Sequence, residues 1–191
     1  TAITQDTNNK LWIGMDGGGI DVLDKNTNTF THINQATSAP YTGLTSNYIE
    51  ALLVDSKNNI WAGSWDKGLF FLDKNYNRFI NYNTKNTKNT LSSNTILTIC
   101  EDKDCIIWIG TNDNGLNSFN PKTKSFTHYN CGNFLEERLD KAEGRKLIVD
   151  RNNTIWMGTA KGRFKIEKTD NGTLSISSQK EKMPKDLVNH N

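Results

Sequence analysis

Four of the five tryptophans in this chain stand in one register. Trp12, Trp61, Trp108 and Trp156 are separated by 49, 47 and 48 residues. Each has an Asp six residues before it (Asp6, Asp55, Asp102, Asp150) and a Gly two residues after it (Gly14, Gly63, Gly110, Gly158). A second Gly follows at seven residues in three copies (Gly19, Gly68, Gly115) and at six in the last (Gly162). Agreement at one position does nothing to produce agreement at the next, so the pattern marks an internal repeat.

Each copy offers four short strand candidates separated by turn residues. The first, Tyr48 to Val54 in the second copy and Thr95 to Cys100 in the third, is a nearly continuous apolar run, as in a strand covered on both faces. A polar turn follows, Asp6 to Asn9, Asp55 to Asn58 and Asp150 to Asn153, where Asp and Asn side chains bond nearby amides and tolerate left-handed backbone. The second strand carries Trp and Gly on one face and Leu, Ile, Ala or Met on the other, so both faces need cover. The turn after it closes on a Gly whose place is easiest to explain by a positive φ. The third strand reads Ile20 to Leu23, Leu69 to Leu72 and Leu116 to Phe119. The fourth carries Phe30 and Ile33, Phe79 and Tyr82, and Phe126 and Tyr129, and is wetter, as suits an outer edge.

Four antiparallel strands, graded from an apolar first to a polar fourth, describe a propeller blade. The predicted fold is therefore all-β, a β-propeller segment of four four-stranded blades at approximately 1–34, 44–83, 91–130 and 147–179. Residues 186–191 read as the lead into a next blade, and Thr1 falls inside a first strand, so we expect a piece of a larger propeller. A closed four-bladed ring and two half-rings pairing into eight blades are the other arrangements. An open arc bares an apolar blade face at each end, on the order of 10 kcal/mol of unburied surface per face, so further blades or a second copy should cover them. The fourth copy looks weak at its outer strands, around Phe164 to Glu167 and Leu174 to Ser177. The charged segment Phe134 to Gly144 reads as a solvated insertion of one or two helical turns.

Composition removes several function classes. A net charge of +2, from 23 basic and 21 acidic residues, gives no broad reason to bind nucleic acid. No apolar run approaches the length of a membrane span, so no membrane contact is expected within this segment. Three cysteines, Cys100, Cys105 and Cys131, make no disulfide framework and read as free thiols. No Ser-His-Asp set, phosphate loop, cofactor motif or metal-ligand spacing stands out. His32 and His128 hold equivalent places on different blades, too far apart to share a metal. No catalytic residue, cofactor or metal is assigned.

The turns after the second and fourth strands share one face of the disc. Trp65, outside the repeat register, is the first candidate for stacking on a sugar ring, with Asp66, Asp16, Asn112 and Asp113 as hydroxyl partners and Tyr41 as a second aromatic. All six also have ordinary structural uses, as packing residues or turn formers.

The third copy resembles the two-component regulator propeller repeat, through Ile107-Trp108-Ile109-Gly110-Thr111, Gly115-Leu116, Asn120-Pro121-Lys122-Thr123 and Phe126-Thr127-His128-Tyr129, and Leu91-Ser92-Ser93-Asn94 supplies its lead. The resemblance covers most of the chain. It implies an extracytoplasmic, periplasmic sensor segment of a hybrid two-component histidine kinase that binds an oligosaccharide or another small ligand and is not itself an enzyme. A protein-binding scaffold is the alternative. A sialidase-like hydrolase is the more distant one: the Asp-to-Trp spacing is one residue off its Asp-box turn and the Ser/Thr-x-Asp-x-Gly signature is missing.

Overall fold

The computed structural model describes residues 2–37, 39–85, 90–129, 146–159, 162–169 and 173–179. These form sixteen strands in four sheets. Blade one holds β1 (Ala2–Gln5), β2 (Lys10–Met15), β3 (Gly19–Asp24) and β4 (Thr29–Ile33). Blade two holds β5 (Ile49–Val54), β6 (Ile60–Ser64), β7 (Leu69–Leu72) and β8 (Ile80–Tyr82). Blade three holds β9 (Ile96–Glu101), β10 (Ile107–Thr111), β11 (Leu116–Asn120) and β12 (Ser125–Tyr129). Blade four holds β13 (Lys146–Val149), β14 (Ile155–Thr159), β15 (Gly162–Lys168) and β16 (Leu174–Gln179). Every sheet is an antiparallel meander in chain order. The fold is a β-propeller segment, as the repeat predicts. Cys131, the Phe134 to Gly144 segment and residues 186–191 lie outside the described residues.

The register explains the repeat. Trp12 pairs with Val22 and Gly14 with Ile20, so Trp and Gly share a face with the apolar residues of the third strand. That face packs on the opposite face of the next blade. Trp12, Ile20, Val22 and Ile33 meet Ile49, Ile60, Ala62 and Phe70. Trp61 and Leu69 meet Ile96, Ile107, Ile109 and Phe119. Trp108 and Leu116 meet Leu147, Ile155, Met157 and Phe164. Three blade-to-blade cores result among the described residues, and in blades one and two the glycine beside the Trp permits the close approach. A Cβ on Gly14 would lie 2.7 Å from Cγ2 of Ile49, and one on Gly63 2.5 Å from Cγ2 of Ile96.

Ile3 of blade one's first strand is exposed, because no described blade packs on that side. Two expectations change. Phe79 does not sit in a fourth strand. Its N–H donates to Thr42 O (2.8 Å) and its ring meets Phe70 edge-on at 6.4 Å, so the connection before blade two takes the place of that strand's start. Blade four is not weak where expected, for Phe164 and Ile166 are fully buried against blade three.

Candidate functional site

The two faces of the disc are built by different turn chemistry. On one, each Asp of the repeat fixes the turn between first and second strands. Its Oδ2 accepts the indole N–H of its own blade's Trp, at 3.0 Å for Asp6, 2.9 Å for Asp55, 2.8 Å for Asp102 and 2.9 Å for Asp150. Its Oδ1 accepts the backbone N–H groups two and four residues on, as Asn8 and Lys10 show for Asp6. A charged acceptor that fills three donors holds the indole in place and closes the turn at once. The residue three after the Asp is left-handed, Asn9 (φ 65), Asn58 (φ 66), Cys105 (φ 61) and Asn153 (φ 65).

The same position ties neighbouring blades. Asn58 Oδ1 accepts the Thr7 N–H (2.8 Å), and Asn153 Oδ1 accepts the Lys103 N–H (2.8 Å). Cys105 offers no such acceptor, and the Glu101 carboxylate replaces it, taking the Ser56 N–H at 2.6 Å and the Ser56 hydroxyl at 2.8 Å. These carboxylates and amides are consumed by architecture.

The other face is formed by the turns after second strands and by the leads into the next blade. Asn47 and Asn94 each bridge blades, their carbonyls accepting the N–H groups of Gly19 (2.8 Å) and Gly68 (2.9 Å). Those glycines are left-handed, φ 82 and 85, and a Cβ on either would strike the backbone carbonyl of Ile33 or Tyr82. Just past this bridge Tyr48 enters blade two. It forms a bridge with Asp16 of blade one, and its carbonyl accepts the Trp65 N–H at 3.0 Å. Tyr48 and Trp65 thus stand on adjoining backbones, and their side chains are 47% and 49% exposed. Asp66 flanks them, its Oδ1 accepting from the Ser46 hydroxyl at 2.5 Å and its Oδ2 3.4 Å from Lys67 Nζ.

The fold brings Asp16, Trp65 and Asp66 together around Tyr48. Asn112 takes the place of Trp65 on blade three, its N–H donating to Thr95 O (3.1 Å), and Asp113 is exposed beside it. Tyr41 is elsewhere: its ring meets Trp12 edge-on at 5.7 Å and lines a groove with Asp6 and Asp73, whose turns belong to the opposite face. In the sequence Tyr48 opens an apolar strand and reads as core; its place immediately after the Ser46-Asn47 lead is the signal that sets it at the rim. His32 Nδ1 lies 2.6 Å from Asp21 Oδ1, and His128 Nε2 lies 3.0 Å from Asn114 O. Among the described residues no three His, Cys, Asp or Glu side chains gather as metal ligands. Cys100 and Cys105 are free, and burial, with the nearby Asp102 charge, pushes the Cys100 thiol up to about 12.

The family model for the two component regulator propeller matches residues 43–66 and 90–113. Two of the four repeats, those entering blades two and three, are similar to the two-component regulator propeller repeat. Both matches run from the lead through the Asp turn and the Trp strand to the Trp65 and Asn112 turns. Solved structures give the same fold for these repeats. The extracellular domain of a protein named as the hybrid two component system BT3049 from B. thetaiotaomicron is 20% identical, over 93% of this chain and 30% of its own, with a TM-score of 0.65. That of BT4673 from the same organism is 24% identical over 93% of this chain and 24% of its own, with a TM-score of 0.66. Virginiamycin B lyase from Staphylococcus aureus is 15% identical over 96% and 56%, with a TM-score of 0.69. The chain spans under a third of the length of the two extracellular domains. No curated protein matches the sequence.

Proposed function

We propose that this chain is a ligand-sensing propeller segment of a two-component signalling sensor. It faces the periplasm and binds an oligosaccharide at the Tyr48–Trp65 rim. The observation that carries the reading is the pair of half-exposed aromatic side chains on adjoining backbones, beside Asp16 and Asp66. Sugar rings present apolar C–H faces to aromatics and hydroxyl edges to carboxylates, which is the chemistry this rim offers. The family match and the fold shared with extracellular domains of two-component systems support the sensing role and the location outside the cytoplasm. Signalling requires that the ligand favour one of two arrangements of the blades or their partners. The outer faces of blades one and four are where further blades or a second copy would make those arrangements.

Calorimetric titration with a panel of oligosaccharides tests the site. One or more should bind, and Trp65→Ala should weaken that binding about tenfold, as for loss of one stacking ring. Equal affinity of Trp65→Ala, or no binding across the panel, overturns the rim as the site. The likeness to a lyase fold makes turnover worth measuring: release of product from a bound glycan would replace sensing with catalysis.

A further inference from the structure

A groove of about 370 Å³ lies on the opposite face, between blades two and three. Its floor is the aromatic stack of that interface. Trp61 and Phe71 have ring centroids 4.4 Å apart, Trp61 and Phe119 5.4 Å, and Tyr82 and Phe119 5.2 Å. Above the floor stand Tyr76 and Ile80, 67% and 51% exposed. Lys57 and Lys124 are at its mouth, and among the described residues neither ammonium has a carboxylate partner. Three carboxylates share the lining and keep their charge, each held by a hydrogen bond: Asp55 holds the Trp61 indole, Glu101 holds Ser56, and Asp73 takes the Asn75 N–H, so a bound anion must seat at the lysine side of the groove.

The groove also gathers departures from the repeat. Tyr76 stands where blades one and three have Thr27 and Thr123, and Ile80 where they have Thr31 and Thr127. Lys124 (φ 54) takes a left-handed position that blade one gives to Asn28 (φ 54), and Cys105 (φ 61) takes one that the other blades give to Asn. Left-handed backbone disfavours both Lys and Cys relative to Asn. Packing does not ask for these changes, because Tyr76, Ile80 and Lys124 project into solvent.

We propose that this groove binds a ring bearing a carboxylate, the ring against Tyr76 and Ile80 and the carboxylate toward Lys57 and Lys124. A terminal uronate of a saccharide and a small aromatic acid share this chemistry, and the volume suits one such ring at the low end of ligand pockets. The site is separate from the Tyr48–Trp65 rim and does not depend on it.

Titration calorimetry of the chain with D-glucuronate, with methyl glucoside and with 4-hydroxybenzoate tests the assignment. One of the two acids should bind at low salt, the neutral glucoside about tenfold more weakly or not at all, and affinity should fall as salt screens the lysines. Tyr76→Thr and Lys124→Asn restore the residues of blade one and should leave folding intact while weakening the acid about tenfold and about fivefold. Trp65→Ala should leave this affinity unchanged, which separates the groove from the rim. Preference for glucuronate assigns the saccharide source, and preference for 4-hydroxybenzoate the aromatic one. Absence of binding by both acids at about 50 mM, well above the millimolar range of weak ligands, overturns the proposal. So does affinity unchanged in both groove variants.

Discussion

At the residue scale, the Asp six before each Trp is the most economical device in the chain. One carboxylate closes a turn, fixes an indole and sets the blade edge where the neighbouring blade attaches. Asp55→Ala leaves the buried Trp61 N–H and two turn amides without their acceptor, so it should cost about 2–3 kcal/mol. Urea unfolding of the two proteins measures this; a loss below 0.5 kcal/mol, about what a neutral surface change gives, would remove the clamp from the account. The cysteines give a second test. With its thiol raised to about 12, Cys100 is almost wholly protonated at pH 8. It should react with an alkylating reagent at least about tenfold more slowly than a thiol of ordinary pKa. Peptide mapping of the modified chain at short times reads its rate against that of a reference thiol peptide.

At the scale of strands and blades, the decisive feature is that the Trp faces of blades one and two meet an isoleucine of the next blade over a glycine. Gly63→Ala drives a methyl into Ile96 and should destabilise by about 1–3 kcal/mol through overpacking. Thermal or urea unfolding reads it, and in an Ile96→Ala background, which lacks the Cγ2 that the methyl strikes, the added cost of Gly63→Ala should be smaller, which a simple backbone effect would not give. Blades three and four are also joined by charge. Lys168 Nζ lies 2.9 Å from Asp102 Oδ2 and bonds Asp104 as well. The hydrogen bond and the positive charge of Lys168 hold the Asp104 carboxyl below its ordinary range. Burial alone would lower Lys168, but its bonds to Asp104 and Asp102 raise it. The Asp104 contribution is therefore full above the ordinary carboxylate pKa and is lost as pH falls through its depressed value. The Lys168 contribution is full below the ordinary lysine pKa and is lost as pH rises through its raised one. Lys168→Met should remove about 0.5 kcal/mol near neutral pH through the largely solvated Asp104 contact, beside what the contact to the buried Asp102 contributes. The Asp104 share should vanish in acid below its depressed value, as unfolding curves at several pH values will show.

At the scale of the whole molecule, the described residues of the four blades make three interfaces, and the two outward faces differ. Where blades one to three carry Ile20, Leu69 and Leu116 on the Trp face, blade four carries Arg163. Where they carry Val22, Phe71 and Ser118, it carries Lys165. Blade one's outward face instead shows Ile3, Leu11, Ile13 and Leu23 with Phe30 at its rim. Apolar exposure of this kind favours association. Light scattering of the chain should give a mass that rises above 21.6 kDa with concentration, and Ile3→Asp should hold it near that value. A concentration-independent mass for both proteins would mean that the blade-one face is tolerated bare. Gly158 reads the other end. Among the described residues only the Lys146 carbonyl, at 3.9 Å, meets a Cβ there, so Gly158→Ala should be close to neutral in this chain, in contrast to Gly63→Ala.

The blades themselves were legible because their determinants are local and recur. The Asp-to-Trp spacing, the left-handed Asn and Gly positions and the alternation of the second strand each work within about twenty residues, and repetition separates them from chance. Trp65 could be singled out by sequence because it breaks the register. What the sequence did not carry is whatever depends on two blades meeting. Tyr48 reads as one more apolar residue until Asp16 of the preceding blade and Trp65 of its own leave its ring in water. Tyr41 reads as a rim aromatic until the chain folds it onto Trp12. Cys105 reads as a stray thiol until Glu101 is seen doing the work of the absent Asn for Ser56. The pattern by itself determined a stack of four-stranded blades, since hydrogen-bonding geometry and side-chain alternation are properties of each segment. The tertiary structure alone decided which faces are covered and where aromatic side chains remain exposed, because burial belongs to pairs of surfaces and no single segment encodes it.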